Sequence, residues 1–120
     1  MLRRVAVVGV PAQDLVRAAH FYRDTLGLPM LPAEGRHAGP PHFRVGDTFM
    51  AVFQRSESEA KVSTPLVAFE VDDLDTAMAM LKERGVAFEG VHQEKESCWI
   101  KFCDSEGNVL ELIQFVHGAV

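Results

Sequence analysis

A chain of 120 residues that is 48% hydrophobic fits one compact domain with a full core and needs no second domain. With 12 basic against 17 acidic side chains the net charge is -5, which argues against a nucleic-acid partner, because phosphate binding needs clustered Lys and Arg. No apolar run approaches the roughly 20 residues that span a bilayer, and Met1-Leu2-Arg3-Arg4 lacks the apolar region of a signal peptide, so a cytoplasmic protein with no membrane partner is expected.

Residues 3–10 are rich in Val and read as a strand buried on both faces, ended by Pro11. Asp14 is a good N-cap for a helix in which Leu15, Ala18, Tyr22 and Leu26 recur at helical spacing, with Phe21 beside them and Gly27 as the stop. Residues 28–34 read as a short strand, and the Gly- and Pro-rich stretch 35–41 as a loop able to border a pocket. Residues 42–45 and 48–54 form a hairpin around Gly46-Asp47. Residues 55–64 are polar and without periodicity, as a linker would be. A second strand then runs over 66–71, and a helix follows with the stripe Leu74, Ala77, Met78 and Leu81, capped by Asp72 or Asp73 and stopped by Gly85. Three further strands are expected near 86–92, 97–103 and 109–116, with 104–108 as a turn. Cys98 and Cys103 lie five apart on one such strand and point to opposite faces, so they are read as reduced thiols.

The chain thus says one thing twice. Module 1 covers about residues 3–55, a linker about 56–64, and module 2 about 65–117. Asp14-Leu15 and Asp73-Leu74 open the two helices, and Gly46-Asp47 and Gly107-Asn108 feed the two closing strands. The fold class expected is α+β, two βαβββ modules forming curved mixed sheets with the helices outside.

The residues that carry this pattern resemble the vicinal oxygen chelate superfamily, which groups glyoxalases, bleomycin resistance proteins and extradiol dioxygenases. Asp14-Leu15 with Phe21-Tyr22-Arg23-Asp24-Thr25-Leu26-Gly27-Leu28 is similar to the family's first-helix signature. Residues 67–74 resemble the start of its second module, and Phe102-Cys103-Asp104-Ser105-Glu106-Gly107-Asn108-Val109-Leu110-Glu111-Leu112 its closing hairpin. The match covers nearly the whole chain and is specific for fold, while the reaction must be argued from the site. A chain this short in this family is expected to form a homodimer, the commonest soluble symmetric assembly.

The resemblance implies metal ligands, His, Gln or Glu, on the first and the closing strand of each module, leaving cation positions open for two substrate oxygens. Carried over to this chain, these positions fall near Val7 and Leu66 on the first strands and at Met50 and Glu111 on the closing strands. Only Glu111 keeps a ligand type, and one carboxylate cannot hold a catalytic divalent ion alone. No cofactor is therefore expected, with a divalent metal left as the alternative. Glu111 is a candidate general base or anionic contact, and the competing structural role is a hydrogen bond to Trp99 or His92. His42 and His92 are candidate acid-base groups or replacement ligands, whereas His37 and His20 read as solvent-facing. Trp99 is suited to stack on a planar ligand, Arg44 and Lys101 to meet a ligand carboxylate, and Met50 with Phe53 to wall an apolar pocket. The leading expectation is a protein that binds a small organic ligand in a sheet-lined cleft without the family's full metal site. Its rival is a divergent metal-dependent lyase, isomerase or dioxygenase using Glu111 with His42 or His92, or a metal-free acid-base enzyme. A vestigial cleft in an interaction dimer is the third reading.

Overall fold

The computed structural model describes residues 5–55, 67–93, 95 and 97–115, in two compact units that divide after Thr64. The linker expected over 56–64 lies outside the described residues, as does Leu66. The first unit contains β1 (Val8–Ala12), α1 (Leu15–His20), β2 (His42–Val45) and β3 (Thr48–Gln54). Its sheet order is β1-β3-β2, with β1 parallel and β2 antiparallel to β3. The second unit contains β4 (Val67–Glu70), α2 (Leu74–Glu83), β5 (His92–Gln93), β6 (Ser97–Cys103) and β7 (Val109–Phe115). Its order is β4-β7-β6-β5, with β4 parallel to β7 and the other pairs antiparallel. Each unit therefore places its closing strand inside a mixed sheet, the α+β class expected from the sequence.

Both helices begin where the sequence places their caps. The Asp14 side chain accepts from Arg17 N at 3.0 Å, and Asp73 accepts from Asp75 N at 3.1 Å and Thr76 Oγ1 at 3.0 Å. A further orphan donor of α2, Leu74 N, is taken by Gln114 Oε1 at 2.7 Å, which ties the helix start to β7. Gly27 and Gly85 follow in left-handed backbone, at φ of 75° and 88°, and end the helical segments. After His20 the first helix widens into a π-helical turn, Phe21–Thr25, where Leu26 N donates to Phe21 O at 3.0 Å. Tyr22 in this turn is fully buried, its ring 5.7 Å from that of Phe43.

Three expectations need correction. Pro11 lies inside β1 rather than ending it. β1 is the edge of its three-stranded sheet, and Ala12 O accepts from Arg55 N at 2.8 Å, so Ala12 faces the neighbouring strand while Pro11 turns its missing donor away from it. The strand over 28–34 is reduced to one bridge, Met30 to Phe43, with Arg44 N on Pro29 O at 3.0 Å and Leu31 N on His42 O at 2.9 Å. Pro29 and Pro32 bound this bridge and supply no donor to extend it. The strand over 86–92 is likewise a bridge, Phe88 to Phe102, before the two-residue β5, with Gly90 between them.

Strand alternation gives each sheet a helix-side face and an open face. In the first unit Val10, Ala12, Phe43, Met50 and Val52 are buried on the helix side. In the second, Ile100, Phe102, Leu110 and Leu112 are buried there, with Gln114 reaching α2 on the same parity.

Candidate functional site

On the open face of the second sheet, Glu111 on the inner strand β7 stands between Ala68 of β4 and Lys101 of β6. Two residues along, Ile113 lies between Glu70 and Trp99, and Trp99 pairs onward with His92 of β5. Register therefore gathers four sequence-expected residues, Glu111, Lys101, Trp99 and His92, on one patch. Trp99 and Lys101 are half-buried, while Glu111 is only 8% exposed. The alternative structural role for Glu111 is not observed, since it bonds neither Trp99 nor His92. Those two rings stack on each other instead, centroids 5.7 Å apart and 18° from parallel. Among the described residues no hydrogen bond or ion pair reaches the Glu111 carboxylate.

The open face of the first sheet carries Gly9, Phe49, Ala51, Phe53, His42 and Arg44. His42 is buried, and its Nδ1 donates to Pro40 O at 2.8 Å. The turn Gly35–His37 folds the His37 ring to 5.2 Å from His42 and 4.7 Å from Phe49, so His37 is not solvent-facing as the loop composition implied. Its Nδ1 is buried without a partner among the described residues. No periodic signal in a Gly- and Pro-rich loop could have announced this packing. Arg44 is exposed, and its Nε donates to Gly46 O at 3.3 Å. His20 is exposed as expected, bonded to Asp24 at 2.8 Å.

Met50 is displaced from its expected role. It is 2% exposed on the helix side, paired with Val8 and Phe43, and is not among the residues lining the pocket beside Phe53. The cause is turn length: Val45 pairs directly with Thr48 across two residues, whereas Cys103 pairs with Val109 across five, so matching the two glycines puts Met50 and Glu111 on opposite faces. The counterpart of Glu111, set by the parallel first strand, is Ala51: Gly9 pairs with Ala51 as Ala68 pairs with Glu111. Val7 precedes β1 and is 45% exposed. Phe53, 42% exposed, leans over Gly9, where an added Cβ would meet its ring at 3.2 Å. It also lines an open pocket of about 680 Å³ within the first unit, together with Leu15, Val16, Met30 and Pro41. The charged groups at that rim, His20 and Arg23, are bonded to Asp24, so the pocket offers mainly apolar area. Hydrogen bonds from Arg23 and then His20 hold the Asp24 carboxyl down to about 2. Cys98 and Cys103 are free thiols on opposite faces of β6.

The sequence over residues 4–112 matches the family described as the Glyoxalase/Bleomycin resistance protein/Dioxygenase superfamily. The chain belongs to this superfamily. No curated protein matches its sequence. Among solved structures, an antibiotic binding protein from Streptomyces sp. CB03234 is similar at 27% identity, covering 95% of this chain and 97% of that one, with a TM-score of 0.80. A glyoxalase/bleomycin resistance protein from the same organism shares 27% identity over 91% of this chain and 98% of that one, with a TM-score of 0.72. Lactoylglutathione lyase from Agrobacterium tumefaciens, at 20% identity, 94% coverage of each chain and a TM-score of 0.73, shares the fold. On the open face of the second sheet the first-strand neighbour of Glu111 is Ala68, and the equivalent pair within the first sheet is Gly9 with Ala51. None of Ala68, Gly9 and Ala51 has a donor atom in its side chain. Among the described residues no group of three or more His, Cys, Asp or Glu is placed to hold an ion, and no helix is long and apolar enough to cross a membrane.

Proposed function

We propose that this glyoxalase-superfamily protein binds a small, flat, largely apolar organic molecule on the open face of its second sheet, without the metal centre of its metal-dependent relatives. One observation carries the reading. Glu111 is buried to 8% exposure with no partner among the described residues, directly beside an indole and an ammonium group on the same face. Its oxygens are not among the fully buried unpartnered atoms, so solvent reaches the carboxylate and it can accept from a ligand donor. Trp99 supplies the stacking surface and Lys101 a second polar contact. The likeness to an antibiotic binding protein at 27% identity supports a drug or secondary metabolite as the ligand class. The side chain of Ala68, paired with Glu111 across the second sheet, has no donor atom, which supports a site that works without the family's metal. The protein is proposed to act in the cytoplasm as a two-fold dimer, which sedimentation of the purified chain tests.

Trp99 is the only Trp, so its fluorescence reports the patch. Titration with planar aromatic compounds in chelator-containing buffer is expected to give saturable quenching by at least one of them. Binding that requires added metal, or a panel without any saturable response by fluorescence and calorimetry, would defeat the proposal.

A metal-free acid-base activity is the second reading, favoured by the same unpartnered carboxylate. It predicts that Glu111→Gln removes turnover while much of the binding remains.

A further inference from the structure

Lys101 and Glu111 are direct cross-strand partners in the antiparallel β6-β7 pair. Lys101 O accepts from Glu89 N at 3.2 Å, on the side of β6 away from β7. In an antiparallel strand the N–H and C=O of one residue point to the same side, so the Lys101-Glu111 pair is the kind without mutual hydrogen bonds, with Cα atoms about 4.5 Å apart and side chains at their closest. Trp99 and Ile113, two residues along each strand, form a pair of the same kind on the same face. The patch thus holds a donor-only ammonium and an acceptor-only carboxylate side by side, next to an indole and an aliphatic side chain. Neither charged group bonds the other or any described residue.

Resting on the ligand-binding reading above, we infer the chemical class of the ligand. It is a planar polycyclic aromatic that carries, on adjacent atoms of one edge, an N–H or O–H donor and a carbonyl oxygen. The donor bonds the Glu111 carboxylate, the carbonyl accepts from the Lys101 ammonium, and the rings lie over Trp99 and Ile113. Simpler ligands match only half of the patch. A monocarboxylate would satisfy Lys101 and be repelled by Glu111, and an organic cation would do the reverse. A bare hydrocarbon would desolvate both charges and pair neither. A cis donor-acceptor edge serves both with no net charge of its own.

The test uses three probes on the full chain: 2-quinolone, whose lactam presents adjacent N–H and C=O groups on a bicyclic ring, N-methyl-2-quinolone, which lacks the donor, and naphthalene, which lacks both. Trp99 quenching, checked by calorimetry, gives each Kd. The expected result is 2-quinolone bound at least about 10-fold more tightly than its N-methyl form, as for a hydrogen bond to a charged group. Glu111→Leu should shrink that preference to about threefold or less, since Glu111 accepts the donor that the N-methyl form lacks, whereas Lys101→Met should weaken both carbonyl-bearing probes and leave naphthalene unchanged. Circular dichroism checks that the variants fold. Should Glu111→Leu fail to fold, Glu111→Gln serves in its place, with a preference smaller than that of the wild type because a neutral amide oxygen replaces the carboxylate. Equal affinity for 2-quinolone and N-methyl-2-quinolone, with Trp99 quenched by both, would overturn the ligand class and leave the small-molecule reading standing. A preference that survives substitution of Glu111, or carbonyl-bearing probes that bind Lys101→Met as tightly as the wild type, would also overturn it. No binding of any of the three probes would overturn the class and count against the reading beneath it.

Discussion

Replacing Asp104 tests how the register of the candidate patch is held. Asp104 closes the turn between β6 and β7, the strands that carry Lys101 and Glu111, and it is 7% exposed. Its Oδ1 accepts from Glu106 N and Asn108 N, each at 2.8 Å, and its Oδ2 from Asn108 Nδ2 at 2.8 Å. Backbone bonds from Asp104 N to Asn108 O at 2.9 Å and from Gly107 N to Asp104 O at 3.2 Å complete the turn. Asp104→Ala removes one charged acceptor from three donors. Hydrogen bonds to charged groups contribute about 1.5–3 kcal/mol each, but a turn at the surface lets water reclaim part of that, so the summed loss should be about 2–4 kcal/mol. Asp104→Asn keeps an oxygen for the two backbone donors and places an amide against Asn108, so about 1–2 kcal/mol is expected. Urea denaturation followed by circular dichroism measures both, with the loss appearing in the midpoint at constant slope. A loss for Asp104→Ala within about 0.5 kcal/mol of zero, the range of an ordinary surface change, would refute the reasoning. Equal losses for the Asn and Ala variants would refute the role given to the retained oxygen.

Met50→Ala should destabilise by about 2–5 kcal/mol, as a large-to-small change in a packed core, and leave the affinity of a Trp99-quenching ligand unchanged. A changed Kd at unchanged stability would return Met50 to the ligand site. Phe43→Ala, which empties the space beneath Tyr22, should cost about 3–5 kcal/mol in the same denaturation assay, and a cost below about 1.5 kcal/mol would contradict the packing. Asp24 titrates at about 2 against an ordinary 3.8, so its contribution to stability is present above 3.8 and is lost as the pH falls toward 2. The group is at the surface, so salt should weaken the effect. Carbon-detected titration by nuclear magnetic resonance should find that low midpoint in the wild type and a return toward 3.8 in Arg23→Gln, and an ordinary midpoint in the wild type would contradict the ion pair.

Local chemistry made much of the fold legible. Asp14 and Asp73 cap their helices because a short carboxylate satisfies orphan N–H groups wherever it stands, and this requires no knowledge of tertiary structure. The hairpin at Gly46-Asp47 and the closing strand after Asn108 are legible for the same reason. Features set by neighbours are hidden. The bridge at Met30 depends on which strand lies beside it, and the π-helical turn at Phe21–Thr25 on how Tyr22 enters the core. Pro11 is tolerated in β1 only because that strand is an edge. At the site, the gathering of Glu111, Lys101 and Trp99 follows from strand period once the strands are placed. Met50 lies on the helix side and Glu111 on the open face because a difference in turn length, invisible when two glycines are matched, shifts parity by one residue. The stacking of His92 on Trp99 and the packing of His37 against Phe49 arise from pairing and loop return, for which the sequence holds no periodic signal.

The central claim is a ligand site that functions without the family's metal. Elemental analysis of untagged protein purified without chelators tests it most directly, with the measurement repeated after incubation with Fe, Mn, Co, Ni and Zn ions. Metal far below one ion per chain is expected in both samples, because Ala68 offers Glu111 no co-ligand and, among the described residues, no group of three or more His, Cys, Asp or Glu is placed to hold an ion. About one ion per chain, retained through dialysis and lost in Glu111→Gln, would contradict it and assign Glu111 to a metal centre.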